Sequence, residues 1–326
     1  MLTSLDDMNR ARQLAETGQN AAVVDFLSER PREQIEDSPT LALLYGTAQA
    51  RLGRHADGKE WVELALERSR TRGDLAIEAD ALNARGAMAL VSGHIEEAAG
   101  FFSLALASAE RDGDYTSVGK CSNNLGIINS MRGLHAQAVG SYTMALAAFQ
   151  QAGLSRGMAE VLHNLGIAYR EEHDLDRALE NANQAVEVAM ESGDASLSAM
   201  ARRGRAEIWM LSGDVTSARR EIEHAIATHR ENGDVVQEAE DQRVMAAVLL
   251  ADGQTENAAD LLRRVIEKGE SLGRPQLAAD AMRDLAHLLR DSEHESEALE
   301  VAHAARALFS QIGVVVEIRR LDEFLM

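Results

Sequence analysis

Residues 74–113 read DLAIEADALNARGAMALVSGHIEEAAGFFSLALASAERDG, and this stretch decides the fold. Two segments, 75–91 and 95–111, flank Ser92-Gly93-His94. Both are rich in Ala, Leu and Glu, poor in β-branched residues and free of proline, which favours helix over strand. Gly93 and Gly113 stand at segment ends, where a left-handed residue closes a helix. Asp74 opens the first segment and fits an N-cap. Gly86 falls mid-helix, where glycine costs stability relative to alanine, so it predicts a crossing too close for a side chain. Its expected partner is Ala98 in the second segment. One unit is thus an antiparallel helix pair.

Outward from this unit the same features return every forty residues: Gly73, Gly113, Gly153, Gly193, Gly233, Gly273 and Gly313. A second register, offset by twenty, runs Gly53, Gly93, Gly133, Gly213 and Gly253, with His173 and Glu293 filling its two gaps. A third, Gly46, Gly86, Gly126 and Gly166, continues as Ala206, Ala246 and Ala286. Alanines recur at 98, 138, 178, 218, 258 and 298, and again at 65, 105, 145, 185, 225 and 305. Several registers at one period mark a solenoid, in which each unit buries its apolar face against its neighbours. Asp114, Asp194 and Asp234 repeat the N-cap of Asp74. Seven units are expected over 37–313, a shorter capping helix pair over 1–36 closed by Pro31, and a capping helix over 314–326. The last should bury a stripe of Val314, Ile318, Leu321 and Leu325. Turns inside the units are expected near residues 53, 93, 133, 173, 213, 253 and 293.

The run Asn124-Leu125-Gly126 through Ala138 to Ala145, repeated as Asn164-Leu165-Gly166 through Ala178 to Ala185, resembles the tetratricopeptide repeat. Tyr169 and Trp209 stand where that family often has an aromatic in its first helix, Phe102 and Tyr142 where it has one in its second. The forty-residue period resembles the long-helix variety of Pins/LGN-type adaptors and of bacterial regulators, including Rap-like proteins. The resemblance implies an all-α tetratricopeptide solenoid, a right-handed superhelix of antiparallel helix pairs with the first helices on its concave face.

Composition narrows the function. With 33 basic and 53 acidic residues the net charge is −20, which argues against nucleic acid as a partner. No run approaches the roughly 18 uncharged apolar residues of a membrane span. The N-terminal MLTSLDDMNRARQLAETG lacks the basic and apolar regions of a signal peptide, and a lone Cys121 suits a reducing compartment, so the expected location is the cytoplasm. The glycines never cluster as a phosphate loop, and no nucleophile stands beside a base, so neither an enzyme nor a cofactor is expected. Glu171-Glu172-His173-Asp174-Leu175-Asp176 lacks metal-ligand spacing and reads as a solvated turn. Arg85 and Arg205, just before the third-register position, either snorkel or pair with acids.

The resemblance places ligands, commonly peptides, on the first helices. Three residues before the third-register position, a column reads Leu43, Asn83, Asn123, His163, Arg203, Arg243 and Arg283. Asn124 and Asn164 lie beside it, and Arg170 lies four past the glycine position. Asparagines can grip an extended peptide backbone, and arginines can fork onto carboxylates. The candidate contacts are therefore Asn83, Asn123, Asn124, His163, Asn164, Arg170, Arg203, Arg243 and Arg283. The competing reading is local surface pairing, Glu240 with Arg243, Asp280 with Arg283 and Arg203 with Glu207. The expected function is a binding scaffold for a protein or peptide with an acidic segment or free C-terminus. The alternatives are a Rap-like sensor and a protein that self-assembles through its capping ends into a homo-oligomer.

Overall fold

A computed structural model describes residues 5–292 and 294–326. Residues 1–4 of the expected capping segment and the turn expected at Glu293 lie outside the described residues. Among those described, the structure is all α. It opens with α1 (Leu5–Glu16), α2 (Asn20–Ser28) and α3 (Arg32–Glu36), then α4 (Pro39–Arg51), α5 (His55–Arg72), α6 (Leu75–Val91) and α7 (Ile95–Asp112). It continues as α8 (Tyr115–Met131), α9 (His135–Ala152), α10 (Ser155–Glu171), α11 (Leu175–Glu191), α12 (Ala195–Leu211) and α13 (Val215–Glu231). It ends with α14 (Val235–Ala251), α15 (Thr255–Ser271), α16 (Pro275–Asp291), α17 (Glu295–Ile312) and α18 (Val315–Leu325). The chain forms two compact units, residues 1–125 and 126–326, with the division inside α8.

The helix ends follow from the glycine registers. Left-handed backbone occurs at Gly53, Gly73, Gly93, Gly113 and onward to Gly313, and among the described non-glycine residues only at His173, with φ 61°. Asp74, Asp194 and Asp234 accept the N–H of Ile77, Leu197 and Gln237. Asp114 accepts the Thr116 N–H at 2.9 Å. Asp174 and Asp214 cap second helices in the same way, which the repeat arithmetic did not single out.

Packing between helices runs along alanine. Ala98, Ala138, Ala178, Ala218, Ala258 and Ala298 are all fully buried, as are Ala65, Ala105, Ala145, Ala225 and Ala305. A methyl at each of these positions lets the helices approach closely, and single large side chains such as Phe102, Ile222 and Phe309 fill what remains. The mid-helix glycines meet different neighbours than the sequence suggests. A Cβ at Gly86 would stand 2.6 Å from the Phe102 ring, and one at Gly126 would stand 2.4 Å from the Tyr142 ring. The partner is thus an aromatic four residues beyond the expected alanine, on the same face of the second helix. Of Gly86, Gly126 and Gly166, the last alone faces its expected alanine, and loosely: its Cβ would meet the Ala178 carbonyl oxygen at 3.4 Å.

Two further details complete the units. Pro31 does not end the N-terminal segment but precedes a third short helix, α3. Arg85 and Arg205 pair with acids: Arg85 with Glu63 at 2.7 Å, and Arg205 with Glu221 at 2.9 Å. Each guanidinium leaves the packing layer only far enough to meet a carboxylate.

In the second unit, α18 buries Leu321 and Phe324, and its N-cap Val314 is buried with them, while Ile318 and Leu325 are partly buried. Phe324 stacks edge-on to His287 and lies beneath Arg290, whose guanidinium stands 3.4 Å from the ring centre. The expected stripe therefore holds, widened by Phe324 and by one charged residue, Glu317, which is also buried.

Candidate functional site

The first unit holds three of the candidate residues. Asn83, on α6, accepts a hydrogen bond from the Asn124 side-chain amide of α8 at 2.9 Å, and the Cys121 thiol stands 3.8 Å from the same oxygen. Asn83 and Asn124 are each half-buried, as is Asn123. One amide thus donates to the other between consecutive repeats. Burial pushes the Cys121 thiol up to about 12, with the Asp80 carboxylate adding to the effect, so it is no nucleophile near neutral pH.

The second unit holds the other six, and brings five of them together. Helices α10, α12, α14 and α16 are the first helices of successive pairs, and the same helical face of each lines a cavity of about 680 Å³. His163, Arg170, Arg203, Arg243 and Arg283 all line it, together with α18. Asn164 is half-buried on α10 beside His163. The wall between the charges is apolar, from Ile167, Met210, Val244 and Val316 among others.

The arginines are engaged by carboxylates of the chain itself. Arg243 bridges Glu207 at 2.9 Å and Asp284 at 2.7 Å. Arg283 binds Asp284 at 2.8 Å and Glu317 of α18 at 2.9 Å. Glu317 also accepts from Arg320 at 2.6 Å, and Arg320 reaches Glu171. Glu171 pairs with Arg170 at 3.1 Å, and Arg170 in turn with Glu207. Followed round, these contacts close on themselves: Arg170, Glu207, Arg243, Asp284, Arg283, Glu317, Arg320 and Glu171 form a ring of alternating charge contributed by α10, α12, α14, α16 and α18. Glu171 is accordingly no solvated turn residue.

The column reading and the surface-pair reading each describe part of this. Arg283 does bind Asp280, at 3.1 Å, and Arg243 stands 3.8 Å from Glu240. Arg203 does not use Glu207. It reaches into the next repeat, to Asp241 at 3.1 Å and the Gln237 side chain at 2.9 Å. Asp241 is fully buried and is also met by His229 Nδ1 at 2.6 Å, while His229 Nε2 faces the Ser196 carbonyl at 3.2 Å. Both ring nitrogens therefore face acceptors, and Arg203 is held from behind by a buried network that no sequence motif announces.

Burial sets the protonation of the cavity. His163 lies flush on α12, where a Cβ at Gly204 would stand 2.3 Å from its Nδ1. Desolvation pushes its pKa down to about 4, and the Arg203 and Arg170 charges reinforce this against Glu207, so the ring is neutral near pH 7. Burial alone would raise Glu207, but Arg170, Arg243 and Arg203 outweigh it and bring it down to about 2. Asp280 goes the other way. Burial, helped by Asp284 and Glu240, lifts it to about 6 against the pull of Arg283 and Arg243.

Among the described residues no group of three or more His, Cys, Asp and Glu is placed to hold a metal ion, and no helix is long and apolar enough to cross a membrane.

Residues 121–191 match the tetratricopeptide repeat family model. No curated protein matches the sequence. Solved structures similar to this one include aspartyl phosphate phosphatase F from Bacillus subtilis, 14% identical, with a TM-score of 0.71 over 94% of this chain and 85% of that one. A Rap protein complexed with competence and sporulation factor is 13% identical, with a TM-score of 0.65 over 97% of this chain and 96% of that one. The STAND protein with a tetratricopeptide repeat sensor from Pyrococcus horikoshii is 12% identical, with a TM-score of 0.62 over 99% of this chain and 52% of that one. At these identities the likeness is one of fold. Residues 121–191 are thus tetratricopeptide repeats, and the chain has the all-α fold of a tetratricopeptide-repeat solenoid with a forty-residue period.

Proposed function

We propose that the chain is a non-catalytic scaffold that binds a peptide or protein segment in the cavity of its second unit. The observation that carries this reading is the cavity itself: about 680 Å³, on the first-helix face of four successive pairs, with polar groups converging on an apolar wall. Its size is ordinary for a ligand pocket. The proposed contacts there are His163, Asn164, Arg170, Arg203, Arg243 and Arg283, with Asn83, Asn123 and Asn124 proposed as backbone contacts on the first unit. A carboxylate of the ligand cannot simply fork onto a free arginine, because each cavity arginine already holds an acid of this chain. The net charge of −20 supports protein rather than nucleic acid as the partner, and the location we propose is the cytoplasm.

The test is capture of the native partner from lysate by the parent and by Ala247→Trp, which fills the cavity from an exposed position on its wall. The parent should retain a partner that the variant loses. Equal capture would move the binding surface elsewhere.

A second reading, a ligand-responsive regulator, is supported by the likeness in fold to the Rap protein complexed with competence and sporulation factor. It predicts that the ligand changes the separation of Glu171 and Arg320, measured between spin labels placed one residue outside each. An unchanged distance on saturation leaves the plain scaffold.

A further inference from the structure

The charge ring restricts what can bind. Its eight members all have partners of opposite sign, so no arginine or carboxylate in it is left over for a ligand. A ligand bearing one charge must expel a ring member, and that member's other neighbour loses a partner inside a partly desolvated wall. A ligand bearing both signs side by side meets no such obstacle. Its acid and its base can enter between two ring members and leave the alternation intact.

One link is suited to such an insertion. The Arg320 side chain is 46% exposed, whereas Glu207, Arg243, Arg283 and Glu317 are 8–19% exposed. Arg320 and Glu171 come from elements distant in the chain, with nothing local holding them together. Beside this pair, Val316 of α18 rests near Gly133, where a Cβ would stand 3.8 Å from that of Val316. The α18 helix is also anchored by the buried Leu321 and Phe324, so parting Arg320 from Glu171 leaves it attached to the last repeat. The pair is open on its Arg320 side only, Glu171 being 20% exposed, and a pair with one solvated partner parts more readily than one enclosed on both sides.

Building on the reading of this cavity as the binding site, we infer that its ligand class is a peptide carrying adjacent opposite charges, which inserts between Arg320 and Glu171. The ligand's carboxylate takes Arg320, its ammonium or guanidinium takes Glu171, and the apolar wall near Met131, Ile167 and Val316 receives the stems. The paired charges come either from neighbouring acidic and basic side chains or from the two termini of a very short peptide.

The experiment uses the full chain labelled with 13C-methyl methionine, since Met131 and Met210 both line the cavity. Four probes are titrated at millimolar concentration: acetyl-Glu-Lys-amide, acetyl-Glu-Glu-amide, acetyl-Lys-Lys-amide and unblocked Gly-Gly. The expected result is a saturable shift of the Met131 methyl by acetyl-Glu-Lys-amide, with an affinity about tenfold or more above either like-charged probe. A matching response to Gly-Gly assigns the termini as the source, and its absence assigns the side chains. Arg320→Gln should remove the advantage of the paired probe while the methionine spectrum keeps its dispersion. Equal binding of the acidic and paired probes, or no saturable shift with any, overturns the inference. If the paired probes fail while Ala247→Trp still loses the native partner, the ligand class falls and the cavity reading stands.

Discussion

Arg320 and Glu171 form an ion pair across 149 positions of the chain, and it joins the C-terminal helix to the end of α10. With it the charges around the second unit's cavity alternate without a break. The links of this ring are unequal. Glu207 serves two arginines and is mostly buried, whereas Arg320 is nearly half exposed. Glu207→Gln should therefore cost about 3 kcal/mol, because Arg170 and Arg243 lose a shared counter-charge. Arg320→Gln should cost at most about 1 kcal/mol, with an effect that fades in high salt. Urea unfolding at low and high salt checks both, and equal costs would mean the ring is not the unit of organisation.

The mid-helix glycines should respond with opposite signs. Gly126→Ala drives a methyl into the Tyr142 ring and should destabilise by about 1–3 kcal/mol. Gly166→Ala places its methyl at ordinary contact distance and should stabilise by up to about 1 kcal/mol through helix propensity. Thermal unfolding of the two variants reads the difference directly.

His173 holds the left-handed backbone that glycine holds at the equivalent turns, and its side chain is exposed. A residue with a Cβ is strained there by roughly 1 kcal/mol. His173→Gly should recover that amount in an equilibrium unfolding measurement, and a loss of stability would show that the imidazole makes a contact worth more than the strain.

Acid should act on the cavity in two opposing ways. His163 has a folded pKa of about 4 against 6.5 when unfolded, so its contribution is present above 6.5 and lost as pH falls towards 4. Asp280 has a folded pKa of about 6 against 3.8, so it penalises the fold above 6 and the penalty lifts on acidification towards 3.8. Asp280→Asn should therefore be more stable than the parent near neutral pH and lose stability more steeply on acidification to about pH 5. His163→Gln should show the reverse slope. Unfolding at the two pH values checks the signs, and the imidazole proton resonances of His163 should titrate near 4 rather than 6.5.

How much of this was legible in the sequence depends on the range of the interaction. Positions such as Gly93 and Gly113 declare themselves because a left-handed residue is a local demand. The alanine registers do so because every unit repeats the same tight seam. The identity of the residue facing Gly126 was missed, since Ala138 and Tyr142 share one helix face and spacing does not choose between them. The arginine column was visible, but its partners were not. Arg203 passes over Glu207, four residues away on its own helix, to reach Asp241 on the next first helix. A long side chain on stacked helices chooses by distance in space, and sequence spacing gives no such distance. Arg320 and Glu171 meet only through the geometry accumulated over the intervening repeats of the second unit, which no local pattern encodes.

On the proposal above, the partner binds in the cavity of the second unit. The most direct measurement places a photo-crosslinking amino acid at Ile167, on the cavity wall, and in a separate chain at Met190, which is exposed on the last turn of α11. Irradiation in native lysate, followed by mass spectrometry of the adducts, should yield a discrete partner peptide from position 167 and none from 190. Adducts from 190 alone, or the same adducts from both positions, would place the binding surface outside the cavity.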